Sequence, residues 1–162
     1  MPLWQGVARG GDGWRTVRLL SLTSLLADVS GEMVMAVLPF LLVSQGATGF
    51  AVGLVGAASE ATGHLAKWVG GRAGDRVRSR RALVAVGYLV PALARLGIAS
   101  AATWGASLLW RSLDRVGKGL RSAPRDAMLH GAVPKAQVGR AFAYHRAADT
   151  AGAVVGVLGA LL

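Results

Sequence analysis

Asp28 and Glu32 stand four residues apart in an otherwise apolar run, so a helix would put both carboxylates on one face with Ser21 and Ser24. In surroundings of low dielectric two like charges repel, and a proton held by one of them relieves the repulsion. A carboxylate that gains and loses a proton is the minimum device for coupling flux to a proton gradient. The bland alternative is a pair of salt-bridged acids that only fix helix packing. Arg111 and Asp114 form a second charged pair, three residues apart, and Arg111 is a candidate partner for Asp28 or Glu32 as well as for Asp114. Glu60, His64 and Lys67 form a third group at helical spacing; a histidine between an acid and a base is placed to titrate or to serve as a structural hydrogen-bond partner. His145 and Asp149 share one face of the last apolar run, and nothing in the spacing demands a metal. No cofactor is expected. The GKG at Gly117–Gly119 lacks the flanking pattern of a phosphate loop.

The elements that must position these groups are long and apolar. The chain has 162 residues, 53 % of them hydrophobic, no cysteine and a formal charge of +10. Without cysteine, disulfide and thiolate chemistry are excluded. So basic a chain raises nucleic acid as a partner. The basic residues nevertheless gather in short loops between apolar runs rather than among exposed aromatics, which points away from nucleic acid. The densest loop is GGRAGDRVRSRR, Gly70 to Arg81, with five arginines and one acid in twelve residues. A basic turn between two apolar segments is the mark of a cytoplasmic loop between membrane spans.

The expected fold is all-α and integral to the membrane, with five transmembrane helices. Residues 1–16 form a polar segment, disordered or interfacial, with Trp4 and with Trp14 beside Arg15 and Arg18 as a surface anchor. A cleaved signal peptide is the weaker reading, because the apolar pattern continues past Asp28 and Glu32. Spans are expected at about 17–43, 49–69, 82–98, 103–123 and 140–162. The first covers roughly 40 Å as a helix, enough to cross with tilt. Pro39 is expected to kink it and Pro124 to bend or restart the fourth helix before a polar loop at 130–139. Gly49, Gly53 and Gly56 share a stripe with Glu60, His64 and Lys67, and Gly152, Gly156 and Gly159 share one with His145 and Asp149; small residues let helices approach closely. The break between the third and fourth spans is weak, but one helix over both would be long for a bilayer.

Lys and Arg number three in the N-terminal segment, five in the loop after the second span and five from Lys118 to Arg140, with none in the other two loops. With five spans every basic segment lies on one side, so the N-terminus is expected to be cytoplasmic and the chain to be a multi-pass protein of the cell (inner) membrane.

Several stretches then acquire a family likeness. Gly71–Arg81 resembles the signature between the second and third spans of the major facilitator superfamily: glycine, three residues, Asp, a basic residue, one residue, glycine, then basic residues. Gly71, Asp75, Arg76 and Arg80 match; Arg78 stands where glycine is usual and Ser79 where a basic residue is. Arg111 to Gly117 resembles the fourth-span signature of proton-linked exporters, with Arg115 in place of a glycine. LLADVSGEM from Leu25, DRVGKGLRSAPRDA from Asp114 and GRAFAYHRAADTAGAV from Gly139 are similar to a bacterial subgroup of permeases.

The resemblance implies a secondary transporter built from two six-span halves, and this chain would supply spans one to five of the first half, lacking the sixth. It implies proton handling at Arg111, and a conformational switch in the loop of Gly71, Asp75, Arg76 and Arg80, which latches one half to the other. Asp75 is also placed to cap or pair at the start of the third span; the plain alternative for the whole loop is a topology anchor. The expected partners are membrane lipid, a small-molecule solute, protons, and a second polypeptide or a second copy to complete the pathway. The competing expectation is a non-transporting membrane interaction module, or an inactive remnant, since the chain stops inside apolar sequence. No enzymatic activity is expected.

Overall fold

Apolar runs broken by short turns fold here into helices and nothing else among the described residues. The computed structural model describes residues 11–77 and 79–162, so Trp4, Arg9 and Arg78 lie outside the described residues. In order, the helices are α1 (Gly11–Ser44), α2 (Gly49–Arg76), α3 (Arg80–Ala99), α4 (Trp104–Ala132) and α5 (Val138–Gly159), with a 3-10 turn at Lys135–Gln137. Two of them are long and apolar enough to cross a membrane by length and composition: α1 from Gly13 to Ser44, and α3.

Each turn has a local chemical cause. Gly46 takes a φ of 81°, and there Ala47 N–H reaches Leu42 O at 2.9 Å while Gly46 N–H reaches Val43 O at 3.0 Å. This pair of bonds closes α1 in a Schellman turn, which a left-handed glycine permits. The Thr48, Ser79 and Thr103 hydroxyls then accept from Ala51, Ala82 and Ala106 N–H, each at 3.3 Å, and so begin α2, α3 and α4.

Three sequence expectations change. Helix α1 begins at Gly11, so the later part of the N-terminal polar segment is helical: Trp14 donates to Gln137 Oε1 at 2.7 Å, meets the Tyr144 ring edge-on at 6.4 Å and lies under Arg140. The arginine-rich segment is mostly helix, because α2 runs to Arg76. Asp75 is therefore in the last turn of α2, and Ser79 is the cap of α3. Helix α4 runs straight through Pro124 to Ala132, leaving only Val133–Gln137 between it and α5.

Around Pro124 the glycines of α2 lie close against α4. Pro124 has no N–H for the carbonyl of Leu120, four residues earlier. That carbonyl faces Gly70 of α2, so near that a Cβ there would lie 2.6 Å from it. The ring itself is fully buried, and a Cβ on Gly74 would lie 3.1 Å from its Cγ.

Contacts divide the described chain into two units. The first holds residues 11–33 and 125–162, that is the start of α1, the end of α4, and α5. Its apolar core is Val17, Leu129, Ala132, Val133 and Ala141. Gly152 and Gly156 press α5 onto α1, with Cβ positions 2.6 Å from Leu25 O and 2.4 Å from Val29 O. The second unit, Val34–Pro124, has Leu38, Leu42, Ala47, Ala51, Val55 and Ile98 at its core. Gln45 ties two turns together, donating to Ala101 O at 2.7 Å and accepting from Ser107 Oγ at 2.9 Å.

In both units charged groups are buried alongside the apolar core, and many large apolar side chains face out. Arg121 is 1 % exposed, and Asp28, Arg111, Asp114, Arg125 and His145 are buried with it. Leu96 is 68 % exposed, and Leu26, Phe40, Leu89, Leu93, Val155 and Leu158 also point outward.

Close helix approach yields a paired test. Gly70→Ala must displace the Leu120 backbone and is expected to cost about 1–3 kcal/mol. Gly53→Ala meets nothing within 4 Å and is expected to be neutral or to stabilise by up to about 1 kcal/mol. Thermal unfolding in detergent measures both.

Candidate solute- and proton-handling site

The second unit gathers its charges on α4. Arg111 is a buried helical residue whose Nη1 donates to Asp114 Oδ2 at 2.9 Å, one turn along. Arg95 of α3 donates from Nε to the other oxygen, Oδ1, at 3.1 Å. Asp114 thus sits between two guanidiniums, its side chain 3 % exposed. Two cationic partners, each donating a charge-assisted bond, compensate the loss of water around it.

Arg111 also donates from Nη2 to the sulfur of Met35 on α1, and Arg115 Nη2 approaches the same sulfur at 3.9 Å. Arg115 pairs across to Glu60 of α2 at 2.6 Å. The geometry therefore links Glu60, Arg115, Met35, Arg111, Asp114 and Arg95 in one line of contacts. Three of the proposed site residues, Glu60, Arg111 and Asp114, belong to it. His64 lies on the exposed face of α2, one turn from Glu60.

That face differs from the one expected to hold α2 against its neighbours. Gly49, Gly53, Gly56, Glu60, His64 and Lys67 are all exposed. The packed stripe is Ala51, Val55, Ser59, Gly63, Ala66, Gly70 and Gly74. The two stripes have nearly the same periodicity, so spacing alone does not choose between them.

In the first unit Asp28 is buried on the face that carries Ser21 and Ser24, and Glu32 is half-buried beside Gly156, whose Cβ position lies 3.0 Å from Glu32 Cβ. The surrounding polar network centres on Arg125, which sequence reasoning passed over as one basic residue in a series. Its Nη1 donates to Ser24 Oγ at 3.2 Å and lies 4.0 Å from Asp149 Oδ2, and its Nε and Nη2 reach Asp126 Oδ1 at 3.2 and 3.1 Å. Ser21 Oγ and His145 Nδ1 share a hydrogen bond of 3.1 Å, and His145 Nε2 lies 3.6 Å from Asp149 Oδ1. The serines of α1 and the His/Asp stripe of α5 were visible in the sequence; that Arg125 joins them was not, because the α4 helix had been expected to break at Pro124.

At the α2–α3 junction Gly71 is half-buried against Ala123, and Asp75 and Arg76 are exposed. Arg80 Nε donates to Gly74 O at 3.1 Å, satisfying a carbonyl of the last turn of α2. Arg72 lies 3.5 Å over the Trp68 ring.

Neutralising Asp114 tests the clamp. Asp114→Asn leaves two guanidiniums without their carboxylate and is expected to cost about 3–5 kcal/mol. Adding Arg95→Met is expected to recover part of the loss, a non-additivity that a double-mutant cycle of thermal unfolding reads.

Comparison with known proteins agrees with these helices. The family model described as Major Facilitator Superfamily matches residues 20–162. An uncharacterized MFS-type transporter of Methanocaldococcus jannaschii is 39 % identical over 142 residues, covering 88 % of this chain and 35 % of the relative. Uncharacterized proteins of Mycobacterium bovis and Mycobacterium tuberculosis are each 39 % identical over 147 residues, covering 90 % of this chain and 36 % of theirs. The chain thus spans about a third of the length of the curated relatives it matches.

Proposed function

The chain belongs to the major facilitator superfamily, and from that premise we propose that it forms part of a permease that moves a small solute by alternating access, coupled to protons. The family is one of transporters rather than enzymes, and it implies a membrane location and a small-molecule solute. The five-span threading, at about 17–43, 49–69, 82–98, 103–123 and 140–162, belongs to the proposal, as does a cytoplasmic N-terminus in an inner membrane. So does completion of the pathway by further chain, a second polypeptide or a second copy.

One observation carries the reading: the buried set includes Asp28, Arg111, Asp114, Arg121 and Arg125 while large leucines point outward. Ionisable groups within membrane helices turn toward protein or a water-filled path, and apolar side chains turn to lipid. Asp28 and Glu32 are the proton-exchanging carboxylates of this proposal; protonating one shifts the balance between inward-open and outward-open states. Arg111 and Asp114 hold the charge of the second unit, and Glu60 with His64 forms the solute-facing group on α2. Gly71, Asp75, Arg76 and Arg80 act as the conformational switch, consistent with the exposure of Asp75 and Arg76.

Reconstitution into vesicles carrying a pH-sensitive dye tests the coupling. With a second copy completing the pathway in the vesicle, the purified chain is expected to collapse an imposed gradient faster than its Asp28→Asn and Glu32→Gln variants, and equal rates would count against coupling by the chain in that assembly. Threading has its own test: single cysteines placed by Ser79→Cys and Lys135→Cys are expected to react with an impermeant maleimide from the same side of the bilayer. Labelling from opposite sides would overturn the five-span arrangement.

A further inference from the structure

Of the five charges in the second unit's line of contacts, those around Asp114 are closed and those around Arg115 are open. Asp114 uses one oxygen for each of two arginines. Arg115 meets Glu60 through Nη2 alone, at 2.6 Å, while its Nε is buried with no hydrogen-bond partner. The Arg115 side chain is 15 % exposed and that of Glu60 is 52 % exposed. On the same face stand exposed His64 and Lys67, and beside Gly56 there is open space.

We propose that Arg115 is the recognition residue for a small organic oxyanion, a carboxylate or phosphate group, and that Glu60 is a resident carboxylate which the incoming one displaces. This rests on the reading of that α2 face as solute-facing and adds the chemical class of the solute. The Nε and Nη2 edge of a guanidinium offers two parallel N–H donors that match two oxygens of a carboxylate or phosphate. Glu60 lies against one of them, Nη2, as an ion pair. A buried N–H left without an acceptor is costly, so a ligand that takes both donors gains what Glu60 leaves unmade.

Charge points the same way. Arg115 is the cation that Glu60 meets. Once Glu60 swings outward that guanidinium loses its counter-charge, and Lys67 adds to the field at the face, which favours an anion and disfavours a cation. Gly63 lets the arginine stem lie close against α2: a Cβ there would lie 3.3 Å from Arg115 Cβ, a tight contact, and 3.8 Å from its Cδ.

The purified chain in detergent is unfolded thermally with benzoate, with inorganic phosphate, or with tetramethylammonium, at matched ionic strength. Benzoate or phosphate is expected to raise the Tm in a saturable manner, the stronger of the two naming the oxyanion, and tetramethylammonium to leave it unchanged. Glu60→Gln removes the resident competitor and is expected to tighten the apparent anion affinity roughly tenfold. Arg115→Gln is expected to abolish the shift, and Arg115→Lys, which keeps the charge without the fork, to weaken it. Weaker anion binding in Glu60→Gln would overturn the proposal, since Glu60 would then be part of the site and not its occupant. Stabilisation by tetramethylammonium alone would overturn it too, yet leave the solute-facing reading standing. No stabilisation by any additive, in the wild type or in Glu60→Gln, would remove both. Glu60 is half exposed, so its replacement keeps the fold, which far-UV circular dichroism verifies.

Discussion

A carboxylate taken out of water needs cationic partners within a few ångströms, and the second unit is arranged around that need at Asp114. Its two partners come from different helices, so α3 and α4 must lie close and in a fixed register. Residues without bulk make this possible. A Cβ at Gly117 would lie 2.4 Å from the Pro91 ring, one at Gly87 2.5 Å from Arg121 Cβ, and one at Gly97 2.2 Å from the Trp110 ring. These three points, spread along α3, set the spacing at which Arg95 reaches Asp114. Arg121 uses the same closeness, donating to Gly87 O at 2.9 Å and lying 4.1 Å over the Tyr88 ring. Backbone and aromatic acceptors thus help carry the charge of Arg121.

The first unit meets the same constraint with a different chemistry. Arg125 is buried near the end of α4, and its hydrogen bonds go to a serine of α1 and to Asp126, with Asp149 of α5 close by. Here, too, glycines set the distance, with Gly152 and Gly156 seated on the backbone of α1. Two polar networks, each wedged between glycine-spaced helices, are buried, while many large apolar side chains face out. In a superfamily of membrane transporters this is the arrangement that lipid as solvent favours, because apolar side chains cost nothing against acyl chains and charged ones cost a great deal.

Much of this was legible in the residues themselves. The number of helices followed from apolar runs and basic punctuation, and the weak break near Ala99 was resolved correctly by length, with Ser100 to Thr103 forming the turn. The α1 polar face and the α5 glycine stripe were readable because each has one polar or small stripe and no rival. On α2 two small-residue stripes compete, and the packed one was not the one carrying the charges; only the partner helix decides between them. Pro124 misled for a related reason. Its cost is local and visible in sequence, whereas Gly70 and Gly74, which face the freed carbonyl and the ring, lie some fifty residues earlier. Arg95, Arg115 and Arg125 were each visible as charges, but their partners are set by tertiary contact.

Lipid is expected to surround these helices while their charged stripes turn inward. The chain has no cysteine, so single nitroxide labels can be placed cleanly. Labels at Leu26, Leu93 and Leu158 in vesicles, with collisional relaxation by oxygen and by a water-soluble nickel chelate, test the claim. Oxygen is expected to dominate at all three positions, with little effect from the chelate. Relaxation dominated by the nickel chelate at these leucines would contradict the claim.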